Sequence, residues 1–159
     1  MDASVSVDVQ VASAVTSVPD QNEIQSWVAE VISELAVARN CEVSVRIVDE
    51  EEGRKLNKQY RDMDKATNVL SFPAGSDTLG NLPPDLPISL GDIVICGPVV
   101  EREAAEQHKE IAVHWAHLLV HGTLHLLGHD HDVDAEATEM EAIETQILKR
   151  RGVGNPYAA

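Results

Sequence analysis

The chain has 159 residues, of which 43% are hydrophobic and 25% charged; this is the composition of a soluble globular protein, long enough for one domain with a real core but not for two. Twelve basic against 27 acidic residues give a net charge of -15, a long-range field that repels phosphate and excludes indiscriminate nucleic-acid binding. No apolar run approaches the ~18 residues of a membrane span, and the opening Met-Asp-Ala-Ser-Val lacks a basic region followed by an apolar one, so we expect a single cytoplasmic domain over residues 1–159 with no membrane partner.

Ser4 to Ala12 alternates Val5, Val7, Val9 and Val11 with polar residues, which predicts a strand with one buried face. Asp20 followed by Glu23 resembles a capping box, and Ile24, Trp27, Val28, Val31, Ile32 and Leu35 then recur at helical spacing to about Ala38. Trp27 therefore reads as core. Glu42 to Val48 alternates again, a second strand. From Asp49 the pattern turns helical, with Leu56, Tyr60 and Met63 on one side and Arg54, Lys58, Arg61 and Lys65 on the other if the helix runs that far. Such a charge stripe is ordinarily a solvated face, although five of the twelve basic residues fall between Arg54 and Lys65, a local positive patch in an acidic protein.

Thr67 to Phe72 predicts a short strand stopped by Pro73. Ala74 to Ser89 reads as a long loop rich in proline and glycine, and Leu90 to Cys96 as a strand buried on both faces. A short helix from about Val99 to Gln107 leads into the histidine-rich stretch. After His131, Asp132 to Glu144 is acidic yet carries Met140, Ile143, Ile147 and Leu148 at helical spacing, which predicts a final amphipathic helix with Met140 in the core. Cys41 and Cys96 read as small buried hydrophobes. The fold expected is α+β, a four-stranded mixed sheet packed with about five helices.

His114 to His131 holds six of the seven histidines. On a helix, His114, His117, His121 and His125 fall within about 80° of one another, surrounded by leucine and valine. The helix is thus central and buried, with an imidazole stripe facing something polar. His121 and His125, four apart, can offer ring nitrogens to one ion. On a continuous helix His131 would lie roughly 15 Å beyond His121, so the chain must turn back. Gly128 stands where a left-handed C-cap would do this. The resulting metzincin-like spacing, His-x3-His-x5-His, is that of a three-histidine zinc site with an open fourth position, and predicts one Zn2+ per chain. His117 is a candidate for substrate contact or for support of the ligands, and Asp130 for orienting a ligand imidazole.

In peptidases of the His-Glu-x-x-His type a glutamate directly after the first histidine is the general base, and here that position is Gly122. A peptidase is thereby disfavoured without removing the zinc. RNA cleavage asks for a Lewis acid on a phosphoryl oxygen and a cation for the developing charge, and Arg61 is the candidate cation.

The segments Leu56 to Asp64, Thr67-Asn68-Val69-Leu70-Ser71-Phe72-Pro73, Leu90 to Ile95 and His117 to His131 together resemble the YbeY family of bacterial and organellar endoribonucleases, over about Leu56 to Tyr157. The resemblance implies a zinc-dependent, single-strand-specific endoribonuclease that matures ribosomal RNA, notably the 3′ end of the small-subunit RNA, and serves ribosome quality control. Its partners would be single-stranded ribosomal RNA and the ribosome or small-subunit ribosomal proteins. It implies His121, His125 and His131 as metal ligands and Arg61 as the functional arginine; Arg54, Lys58 and Lys65 are candidate RNA contacts. Two departures stand out: Ala66 where the family usually has proline, and His129 where tyrosine is common. The rival readings are a metallopeptidase-like hydrolase and a non-catalytic ribosome-assembly factor with a structural zinc.

Overall fold

The computed structural model of the chain describes residues 5–35, 40–74, 87–128 and 134–153. Four strands and five helices follow in the order β1 (Val5–Ala12), α1 (Gln21–Glu34), β2 (Cys41–Val48), α2 (Glu50–Arg61), β3 (Val69–Pro73), β4 (Ile88–Cys96), α3 (Gly97–Glu106), α4 (Ile111–Leu126) and α5 (Asp134–Arg150). This is the mixed four-stranded α+β arrangement expected. The strand order is β1-β2-β4-β3, with β1, β2 and β4 parallel and β3 antiparallel to β4. Parallel neighbours need a crossover, which α1 supplies between β1 and β2. Its start is fixed by Asp20, whose carboxylate accepts the Glu23 backbone N–H at 2.8 Å.

Alternation along the strands sorts the sheet into two faces. Val7, Val43, Val45, Ile47, Ile93 and Ile95 join Trp27, Val28, Val31, Leu119 and Leu124 in the main core, so α1 and α4 cover this face. On the other face Val48, Leu70, Val94, Cys96 and Val99 form a second cluster, with Leu56 and Phe72 packed against it. The C-terminal half of β4 is therefore buried on both sides, as its apolar run predicts. Helix α4 lies at the centre, with Trp115, Leu119, Val120 and Leu124 fully buried.

Several boundaries differ from expectation. β3 begins at Val69, not Thr67, because the side chain of Asn68 caps its own neighbour, its Oδ1 accepting the Val69 N–H at 2.7 Å. β4 begins at Ile88, two residues before the expected start, because Ile88 N–H reaches Asn40 O at 2.9 Å and extends the ladder. Residues 75–86, most of the predicted long loop, lie outside the described residues. Helix α2 ends at Arg61, where Asp62 takes a left-handed φ of 56°, a region that aspartate visits more readily than most residues. Lys65 is therefore not on the helix. Trp27, Met140 and both cysteines are buried, and the cysteines form no disulfide.

Candidate functional site

Three elements converge on a cleft of about 660 Å³ lined by Tyr60, Arg61, Thr67 to Phe72, His121 and His125. The end of α2 supplies Tyr60 and Arg61, and β3 with the residues before it forms one wall. Helix α4 supplies the two imidazoles. The wall and the histidine helix are tied together by Ser71, whose hydroxyl donates to the Gly122 carbonyl at 2.9 Å. Gly122 itself faces the sheet: a Cβ there would lie 3.0 Å from Ile93 Cγ2 and 3.2 Å from Val69 Cγ2. A glutamate at this position would crowd Ile93 of β4 and Val69 in the β3 wall of the cleft, so the general base of a His-Glu-x-x-His peptidase could stand here only by displacing them.

The imidazole stripe on α4 meets two carboxylates. Glu103 on α3 accepts from His114 Nε2 at 3.0 Å and from Asn68 Nδ2 at 3.0 Å. Glu144 on α5 is fully buried between two rings, with His117 Nε2 at 3.0 Å from Oε2 and His121 Nδ1 at 2.6 Å from Oε1. Burial pushes the His114 imidazole below its ordinary pKa, partly opposed by its hydrogen bond to Glu103. A buried carboxylate accepts, so the His121 nitrogen facing Glu144 is the one that carries hydrogen, leaving Nε2 with a lone pair. That Nε2 lies 3.0 Å from His125 Nε2, on the cleft side. Two nitrogens sharing a tetrahedral zinc stand roughly 3.3 Å apart, so the pair fits an ion. On the buried side His117, His121 and Glu144 present ligand atoms within 4.8 Å of one another and could also hold one.

Helix α4 ends at Leu126, and Gly128 has a φ of +93° with its N–H on His125 O at 3.1 Å. The chain thus leaves the helix axis where the glycine predicts. His131, Asp130 and His129 lie outside the described residues.

The basic stripe does not stay together. Arg61 lines the cleft, whereas Arg54 and Lys58 line a separate groove. Arg54 holds Asp64 through both carboxylate oxygens, at 2.6 and 3.0 Å, and this hydrogen bonding lowers the Asp64 pKa. Lys55 pairs with Glu51. Among the described residues no carboxylate pairs with Arg61. The turn after it is anchored from below, the buried Asn57 donating from Nδ2 to Lys65 O at 2.8 Å. Lys65 is exposed beyond that turn.

Glu103 and Glu144 were not among the residues singled out from the sequence. The signal was present: Glu144 lies four residues after Met140 and three before Ile147, and Glu103 four after Val99 and three after Val100. Each is a carboxylate on an apolar stripe, which requires a buried partner.

The family model described as Endoribonuclease YbeY matches residues 8–152. The chain belongs to the YbeY family. Proteins named Endoribonuclease YbeY are similar to it along most of its length. That of Cellvibrio japonicus is 49% identical over 152 residues, covering 95% of this chain and 82% of the relative. That of Halorhodospira halophila is 53% identical over 145 residues, covering 89% of each. A Thermotoga maritima protein solved in solution shares the fold, with a TM-score of 0.54 at 20% identity over 96% of this chain and 99% of the other. No helix among the described residues of this YbeY-family chain is long and apolar enough to cross a membrane.

Proposed function

We propose that this chain is a metal-dependent endoribonuclease that cuts single-stranded ribosomal RNA in the cytoplasm, in 3′-end maturation of the small-subunit RNA and in ribosome quality control, with ribosomal proteins as neighbours. The observation that carries the nuclease reading is that Arg61, unmatched by any described carboxylate, shares one cleft with the facing ε nitrogens of His121 and His125. The wider ribosomal role rests on family membership alone.

His121 and His125 would hold the ion, joined by His131 once the chain has turned at Gly128. We take Zn2+ as the metal, and when bound it supplies Lewis acidity to a phosphoryl oxygen. The cleft side is preferred over the His117–His121–Glu144 group because Glu144 is fully buried, where RNA has no access. Glu144 instead fixes the tautomer and direction of His121, and His117 braces Glu144 from its other oxygen. Arg61 grips a phosphate through two parallel hydrogen bonds and stabilises the charge that develops on its oxygens. Ser71 is not a nucleophile, since its hydroxyl is committed to Gly122 O. Arg54 is matched to Asp64, which leaves Lys58 and Lys65 as the stronger of the outlying RNA contacts.

The test compares wild type, His121→Ala and Arg61→Ala on single-stranded ribosomal RNA, with metal content measured alongside. The first variant should lose metal and cleavage together, the second cleavage but not metal. Equal cleavage by all three would assign the cutting to a contaminant. Zinc retained in a wild type that never cuts RNA would favour the assembly factor with a structural ion.

A further inference from the structure

The chain is poor in aromatic residues, with two tryptophans, two tyrosines and one phenylalanine. Both tryptophans are buried in the main core, Trp27 5% and Trp115 0% exposed. Tyr60 differs, being 60% exposed at the end of α2. Its ring meets Phe72 edge-on, with centroids 5.0 Å apart and planes at 62°. A ring kept for packing would be covered; this one is propped against a neighbour and left open.

Its position is specific. Tyr60 and Phe72 line the Arg61–histidine cleft and also a second groove of about 440 Å³ on the other side, so they form the ridge between the two. The second groove offers phosphate nothing: Arg46 there is matched to Glu52 by hydrogen bonds of 2.6 and 2.9 Å, and Asp92 adds negative charge. A nucleic-acid backbone is thereby directed to the Arg61 side. Tyr60 and Arg61 line the same cleft, so a phosphate held by Arg61 leaves a neighbouring base within reach of Tyr60.

We infer that Tyr60, fixed by Phe72, is a stacking platform for one unpaired base of the strand whose phosphate lies against Arg61. A base can stack there only if it is free of a complementary strand, so the ridge selects single-stranded substrate without reading sequence. This rests on the nuclease reading of the cleft.

The test is equilibrium binding of a fluorescent 2′-O-methyl oligouridylate, which lacks the free 2′-hydroxyl, to the zinc-loaded protein. Tyr60→Ala should weaken binding about tenfold, while Tyr60→Phe and Tyr60→Trp stay within about twofold of wild type. Probes made abasic at successive positions should reveal one position where wild type loses the same factor and Tyr60→Ala loses nothing more. Wild-type binding that neither Tyr60→Ala nor any abasic position weakens overturns the platform and leaves the nuclease intact. The abasic series needs no altered protein, so it decides even if Tyr60→Ala does not fold. A wild type that neither binds nor cleaves RNA overturns the reading of the cleft, and the platform with it.

Discussion

His121 Nδ1 lies 2.6 Å from Oε1 of the fully buried Glu144, so the ring that offers its other nitrogen to the cleft is aimed from behind by a carboxylate 23 residues away in the chain. Such a partner fixes which nitrogen carries hydrogen and raises the basicity of the other. Glu144→Gln, which keeps the shape and removes the charge, should lower zinc affinity about 10- to 100-fold. Competition with a chromophoric chelator measures it. Unchanged affinity would mean that His121 needs no such support.

Arg61→Ala should retain its zinc and melt within a degree or two of wild type, because the side chain is exposed and makes no described ion pair. Its single-turnover cleavage rate should fall about 10²-fold, the usual loss when one donor to a developing oxyanion is removed. Arg61→Lys should recover only a fraction, since an ammonium cannot reproduce the planar fork. Full recovery by lysine would show that charge alone suffices.

Gly122→Glu tests the peptidase reading from the opposite direction. A Cβ at this position already meets Ile93 at 3.0 Å and Val69 at 3.2 Å, and the remaining atoms would press a charge against them. Overpacking costs about 1–3 kcal/mol and the unpaired carboxylate adds to it, so the melting temperature should drop by at least ~5 °C. No peptide hydrolysis should appear. A stable variant that cuts peptides would show that the residue faces the cleft after all.

His114 makes stability depend on pH. It is 3% exposed, donates to Glu103, and its Nδ1 has no partner among the described residues. Protonation would place a second buried N–H there without an acceptor. With its pKa below the ordinary value of about 6.5 in the folded state, the unfolded chain binds the proton more readily. The stability is complete above that ordinary value and declines as pH falls through it toward the lowered folded one. Denaturant unfolding at pH 7.5 and 5.5 should show a smaller loss in His114→Gln than in wild type. An identical loss in both would assign the acid sensitivity elsewhere.

The sequence by itself determined the strands, the helices and the turn after the histidine helix. Period-2 alternation in Val5 to Val11 and helical spacing in Ile24 to Leu35 are local consequences of which face meets the core, and Gly128 occupies a φ that a side chain would strain. It could also mark Arg61 and the pair His121 and His125, because four-residue spacing on a helix is a local fact. Tertiary structure alone decided the rest. Only packing could bring Glu144 against His121, set β3 antiparallel at the sheet edge, assign Arg54 to Asp64 while leaving Arg61 to the cleft, and prop Tyr60 on Phe72. Each of these joins residues whose separation along the chain carries no periodicity, and their meeting is fixed by how helices and sheet bury their apolar faces together.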